Sequence, residues 1–265
     1  MLVALKGSNR IHASVAEKGH TFHCPGCHTE VTLKKGAKVI HHFAHKPPVT
    51  CSWAVGETKA HLSAKNLFLE HLTNAGYKAD VEYPIGTQRA DVHFQDTNGI
   101  SYVIEIQHQP ITPSEISRRT EGYFRAGAVV TWLPLIDIAK LAPKAEQTAT
   151  GYVIKRYTPK PFERWLHGFH FKEMWFVDPS TGMLWKGTFS DEIISVPYSE
   201  WYVSGGDTES AGGYDRTSKR CKKLTITGPI PLGAIQLGSQ IRKQSTIGGH
   251  VYPQGRRLIM TTIPS

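Results

Sequence analysis

The sequence predicts an α+β / α/β protein in three parts: a small metal-knuckle subdomain (1–55), a mixed core (56–136) and a β-rich, basic region (151–265) of unassigned role. Three observations carry this expectation. Asp91 and Glu105 flank an Asn98-Gly99 turn inside two alternating apolar runs, the strongest short-range mark of a β-hairpin. Cys24-Pro25-Gly26-Cys27 is followed by His42-Phe43-Ala44-His45 and Cys51 at the spacing of a metal knuckle. Around the hairpin the order reads helix, three-stranded meander, helix, strand.

The elements follow in chain order. Residues 57–75 predict a helix with Leu62, Leu69 and Leu72 on one face and Gly76 as its stop. Val81–Ile85, Ala90–Gln95 and Ile100–Gln107 predict strands. A three-residue loop of Thr97, Asn98 and Gly99, with Gly99 left-handed, sets Asp91 opposite Glu105. Thr112-Pro113-Ser114-Glu115 opens a second helix that runs to about Gly127, and Ala128–Leu133 is a buried strand. Residues 137–150 read as a connector, 167–189 as a hairpin around a Pro/Gly turn, and 202–216 as a Gly/Ser/Asp-rich loop.

Composition bounds the function class. The 265 residues contain no apolar run long enough for a membrane span, and the start lacks the core of a signal peptide, so a cytoplasmic location is expected. With 31 Lys/Arg against 22 Asp/Glu the formal charge is +9. All of that excess lies in residues 216–265, which contain 9 Lys/Arg and no acid. Such a segment favours polyanions through counterion release, with Lys222 and Lys223 as candidate nucleic-acid contacts.

Two carboxylates on paired strands, with a polar group two residues beyond the second, make a hard-oxygen site for Mg²⁺ or Mn²⁺. Asp91 and Glu105 are its ligands, and Gln107 is the polar group. Glu57, His61 and Lys65 recur at i, i+4 and i+8, on one helical face. Beside the acids, Glu57 is a candidate to bind a metal-bound water, and His61 and Lys65 are candidates to hold the scissile phosphate or its transition-state charge. Arg89 shares the strand face of Asp91, and Arg118, Arg119 and Arg125 lie on the second helix as candidate backbone clamps. In the knuckle, Cys24, Cys27, His45 and Cys51 form one ligand set for structural zinc, with His42 as an alternate.

These motifs together resemble the competence CoiA-like family of the PD-(D/E)XK nuclease superfamily. The resemblance rests on the Cys-Pro-x-Cys knuckle, His42-Phe43-Ala44-His45-Lys46, and Glu57/His61/Lys65. It continues through Arg89-Ala90-Asp91, Ile104-Glu105-Ile106-Gln107, and Arg118/Arg119/Tyr123 before Val129-Val130-Thr131-Trp132-Leu133. Six ordered motifs span about residues 20–135, half of the chain. The resemblance implies a restriction-endonuclease-like core and Mg²⁺-dependent hydrolysis of DNA, with the Ile106 carbonyl as a third protein oxygen. Gln107 departs from the usual lysine, and Lys65 is the candidate to replace its charge. That departure keeps open a non-catalytic DNA-binding accessory role in recombination or competence. RNA remains an open substrate, and a homodimer or a partner protein is a further expectation.

Overall fold

The computed structural model describes residues 1–37, 39–51, 53 and 56–263. Five short strands open the chain: β1 (Val3–Lys6), β2 (Asn9–His12), β3 (Phe22–His23), β4 (Glu30–Lys34) and β5 (His42–His45). They form one sheet in the order β2-β1-β3-β4-β5. Its core is small, built on Phe22, Val31, Leu33 and Phe43 with buried Cys24.

The central unit follows as α1 (Lys59–Asn74), β6 (Lys78–Ile85), β7 (Gln88–Gln95), β8 (Ser101–Gln107), α2 (Pro113–Arg125) and β9 (Val129–Pro134). Thr58 caps α1 by accepting from the His61 N–H, so Glu57 precedes the helix rather than opening it. Thr112 caps α2 in the same way, with Pro113 at the first position. The hairpin has the expected register. Val92 pairs with Ile104 and Gln95 with Ser101, and Gly99 has φ +76°, which places Asp91 across from Glu105. Strand β9 runs parallel to β8, buried throughout, as a βαβ crossover requires.

The rest comprises α3 (Ile138–Leu141), β10 (Glu146–Thr148), β11 (Gly151–Tyr157), α4 (Pro161–Phe169), β12 (Met174–Asp178), β13 (Met183–Val196), β14 (Ser199–Tyr202), β15 (Thr208–Ala211), β16 (Tyr214–Pro231), β17 (Ile235–Arg242), β18 (Ser245–Ile247), β19 (His250–Tyr252) and β20 (Gly255–Thr262). A second large sheet has the order β10-β11-β16-β13-β12. The whole is a strand-rich mixed α+β fold with four α-helices among the described residues.

Three sequence expectations change here. Helix α4 was not foreseen, although Phe162, Trp165, Leu166 and Phe169 repeat at helical spacing behind a Pro161/Glu163 start. Residues 202–216 are not simply a loop. Gly205 and Gly206 make a tight turn between β14 and β15, and Gly212 and Gly213 return the chain into β16. The third change concerns the basic C-terminal residues, which are no loose tail. The central sheet has the order β17-β20-β9-β8-β7-β6, so the last hairpin completes the sheet of the mixed core. Within that hairpin Arg242 is 2% exposed.

Beneath β9 and β20 lies His170, buried at the end of α4. Burial, then Arg257 and Arg242, lower its pKa to about 3 from 6.5. The unfolded chain takes up this proton below 6.5 and the folded chain does not, so the stability present above 6.5 is lost as pH falls toward 3. At pH 5 this one group is expected to remove about 2 kcal/mol. Urea midpoints at pH 7 and pH 5 should show a smaller drop in His170→Gln than in wild type. Identical drops would disprove the linkage.

Candidate metal and catalytic site

The β7–β8 ladder stops at Val92–Ile104, and the strands part where the two acids stand. Freed from a ladder partner, the Ile106 N–H donates to Asp91 Oδ2 at 2.9 Å. The carbonyl of a strand residue faces the same neighbour as its N–H, so the Ile106 carbonyl lies on that edge too. Asp91 is 7% exposed and Glu105 1%.

Each acid has its own support. His61 Nε2 on α1 lies 3.1 Å from Asp91 Oδ2, and His61 Nδ1 lies 3.4 Å from Glu57 Oε1. Burial opposes the His61 charge, but Asp91 and Glu57 prevail and raise its pKa to about 9. Burial likewise works against the Asp91 charge, and His61 with Lys65 still hold its carboxyl well below the usual carboxylate range. Glu105 sits between Arg119 Nη2, at 2.8 Å, and the Tyr123 hydroxyl. Burial pushes its pKa up to about 7 against the pull of Arg119, and nearby Asp91 adds to the rise. Tyr123 is thus a core aromatic with its polar end on a site acid.

A cleft of about 660 Å³ gathers Glu57, His61, Arg89, Asp91, Glu105, Ile106, Gln107, Arg118 and Arg119 on its walls. Arg89 stands 3.7 Å from Glu57 and stacks over Trp53 at 5.0 Å. Arg118 is at the rim, paired with Glu115 at 2.7 Å. Gln107 turns its amide to the Gln109 carbonyl.

Four residues sit elsewhere. Lys65 is fully buried and is not on the cleft wall, so the direct phosphate contact expected from the sequence is not its place. Its ammonium lies 2.6 Å from Glu57 and 2.7 Å from Glu82. Lys222 and Lys223 are on β16, in the other large sheet, and Lys222 pairs with Asp191. Arg125 is also outside the cleft, paired with Glu121 at 2.7 Å.

Two residues escaped the sequence reading. Glu82 is buried, accepts from the Leu2 N–H at 2.8 Å, and holds Lys65. Strand alternation assigns it to solvent, but φ +53° turns it inward. His108 stacks on His61 at 4.3 Å and leaves its Nε2 without a hydrogen-bond partner. Its adjacency to Gln107 was the only signal.

Glu57, His61 and Asp91 each offer a ligand atom, all within 4.8 Å of one another, and Glu57 Oε2 has no hydrogen-bond partner. The two carboxylates, with a Glu57 oxygen that accepts no hydrogen bond, fit a divalent cation, while His61, charged with a pKa of about 9, stands beside them as a positive group rather than a ligand. The knuckle residues also converge. Cys24, Cys27, His45 and Cys51 bring their ligand atoms within 4.8 Å, while His42 turns Nδ1 to the Ile40 carbonyl. The Cys24–Cys51 sulfur separation is 3.8 Å and the Cys27–His45 separation 3.4 Å. Tetrahedral coordination with metal–sulfur bonds of about 2.3 Å gives sulfur–sulfur separations near the first value. Gly26 and Trp53 donate backbone N–H groups to Cys24 and Cys51 at 3.3 and 3.4 Å. A Cβ at Gly26 would meet the Trp53 ring at 2.5 Å, and that ring carries Arg89. Knuckle and cleft therefore share a wall.

This arrangement has counterparts. The competence protein CoiA N-terminal domain matches residues 5–54, and the CoiA nuclease-like domain matches residues 57–159. The competence protein CoiA of Bacillus subtilis (strain 168) is 30% identical over 119 residues, 44% of this chain and 32% of that protein. The chain thus covers about a third of that relative's length. No solved structure matches. The chain belongs to the competence CoiA-like family, and its central unit is nuclease-like. Among the described residues, no helix is long and apolar enough to cross a membrane.

Proposed function

We propose that the cleft hydrolyses phosphodiester bonds in DNA with a divalent cation, Mg²⁺ or Mn²⁺, and that α1, β6 to β9 and α2 form a PD-(D/E)XK-type core. The observation that carries the reading is the register that sets Asp91 against Glu105 where β7 and β8 part. Asp91, Glu105 and the Ile106 carbonyl would hold the cation, with Glu57 in reach. The cation, when bound, supplies Lewis-acid polarisation of the phosphate and an acidified water.

The chain's own groups do the rest. Charged His61, with Arg89 and Arg118 at the wall, supplies the positive charge that Gln107 lacks. Lys65 acts behind the wall, fixing Glu57. Arg119 orients Glu105 and fills its unsatisfied charge until a cation arrives. That same neutralisation favours a second reading, a DNA-binding accessory protein that does not cut. The test uses plasmid, linear and single-stranded DNA, and single-stranded RNA, with Mg²⁺, Mn²⁺ or EDTA. Cation-dependent cleavage is the expected result. Binding without cleavage under every condition would select the accessory reading.

In the knuckle, the Cys3His set would hold structural zinc. Burial pushes the Cys24 thiol up to about 12, so without a metal this sulfur keeps its proton. Purified protein should carry one zinc, and Cys51→Ser should lose it and the order of the β1–β5 sheet with it. A variant that kept both would remove zinc from this site. The same variant should weaken DNA binding through the Trp53–Arg89 wall.

A further inference from the structure

Arg242 and Arg257 meet at the end of α4, and neither has an acidic partner among the described residues. Arg242 donates to the Phe169 carbonyl at 3.0 Å and to Ser245 Oγ at 3.1 Å, and its Nε–H has no acceptor. Arg257 donates to Gln240 and lies 3.3 Å from His170 Nδ1, which leaves part of its five-donor fork unused. Charges this sheltered ordinarily have a counter-charge. Here Arg242 has aromatic faces in place of one, and half-buried Arg257 feels Glu173 across the cavity without forming a salt bridge to it. The two guanidiniums stand 4.6 and 4.7 Å from the Phe171 ring.

The backbone at this point is costly. Phe171 and Lys172 have φ +55° and +72°, the left-handed turn after a helix where glycine is usual. The Phe171 ring there is 55% exposed and lies against both guanidiniums. Beside it opens a cavity of about 290 Å³ with Thr131, His170, Gln240 and Arg257 on its walls. Glu173 is also on the wall, its charge already paired with Lys186 at 2.8 Å. None of these residues belongs to the Asp91/Glu105 cleft.

We infer that this cavity is a second anion site, which takes a phosphate of a nucleic-acid strand on Arg257, with Phe171 as the adjoining aromatic surface. The choice of a nucleic-acid phosphate over a free one rests on the function proposed above. The chemistry of the pocket, an oxyanion on an unpaired guanidinium, does not.

The full chain, without added divalent cation, is titrated with inorganic phosphate and then with a single-stranded oligonucleotide at several salt concentrations. Wild type is expected to bind phosphate, Arg257→Gln to bind it at least about tenfold more weakly, and Arg257→Lys to recover part of the loss. The slope of log affinity against log salt for the single-stranded oligonucleotide should fall by about 0.7 in Arg257→Gln. Phe171→Gly relieves the turn, so it should fold at least as well as wild type, yet bind the oligonucleotide more weakly. No phosphate binding by wild type, or equal binding by Arg257→Gln, overturns the site. Phosphate binding that depends on Arg257 with an unchanged oligonucleotide slope overturns the nucleic-acid ligand. Loss of DNA cleavage in Asp91→Asn with Arg257-dependent phosphate binding intact separates this site from the catalytic cleft.

Discussion

Asp91→Asn is expected to lower cation-dependent DNA cleavage by at least about 10³-fold, because loss of several kcal/mol of cation-borne stabilisation at the phosphate is worth that factor. The substitution is nearly isosteric, and the Ile106 N–H can still donate to an amide oxygen. What goes is the negative charge. Two consequences can be separated. The cation loses a ligand, and His61 loses the partner that, with Glu57, holds its pKa at about 9. Removing Asp91 lowers the His61 pKa, so His61 either keeps its proton and leaves the cleft one charge more positive or releases it and leaves the net charge unchanged, and DNA affinity in the absence of cation should be equal or higher. Cleavage lost with binding kept therefore identifies Asp91 as a cation ligand. Cleavage within tenfold of wild type would remove Asp91 from the chemistry and, with it, the proposed function.

Much of the fold was legible because the signals were local. The Asn98-Gly99 turn fixed the hairpin register, the Leu62/Leu69/Leu72 face and Gly76 placed α1 to within two residues, and Thr112 and Pro113 fixed the start of α2. The part that was not legible is long-range. Nothing near residues 235–262 announces that β20 will add to β9 on the far side of the sheet from β8. A parallel pairing across more than a hundred residues leaves no periodicity to read. Charge counting misled for the same reason. Nine basic residues without an acid read as a tail, yet Arg242 is enclosed by three aromatic rings.

The site shows the same division. Residues on one strand or one helical face were found, since period 2 and period 3.6 decide their side. Asp91, Glu105, Arg89, His61 and Arg119 all reached the cleft. The knuckle set was found because its spacing matches the coordination geometry. What spacing cannot give is depth. Glu57, His61 and Lys65 read as one face, but Lys65, one turn beyond His61, is fully buried and off the cleft wall. Glu82 was invisible because a single left-handed residue overrode strand alternation.

Lys65→Met is expected to cost about 3–5 kcal/mol of folding stability, the penalty for removing one partner from a buried ion pair. The reason lies in what remains. Buried Glu82 and Glu57 at the cleft wall share that ammonium at 2.7 and 2.6 Å; Glu57 also has His61, Arg89 and the N-terminal ammonium within 3.7 Å, and Glu82 ties β1 to the core through the Leu2 and Val3 N–H groups. Burial opposes the charge on Lys65, but Glu82 and Glu57 raise its pKa, so the ammonium is charged at any working pH. Without it, two carboxylates face each other in a medium that screens them poorly. For a domain with a total stability of about 5–15 kcal/mol, such a loss approaches unfolding. Pairing Lys65→Met with Glu82→Gln removes one of the stranded charges and should return part of the stability, a coupling that a double-mutant cycle on urea midpoints measures. A single variant within about 1 kcal/mol of wild type would mean that the acids accept protons and relax at little cost. In that case the cluster would be tuned for its charge rather than built to hold the fold.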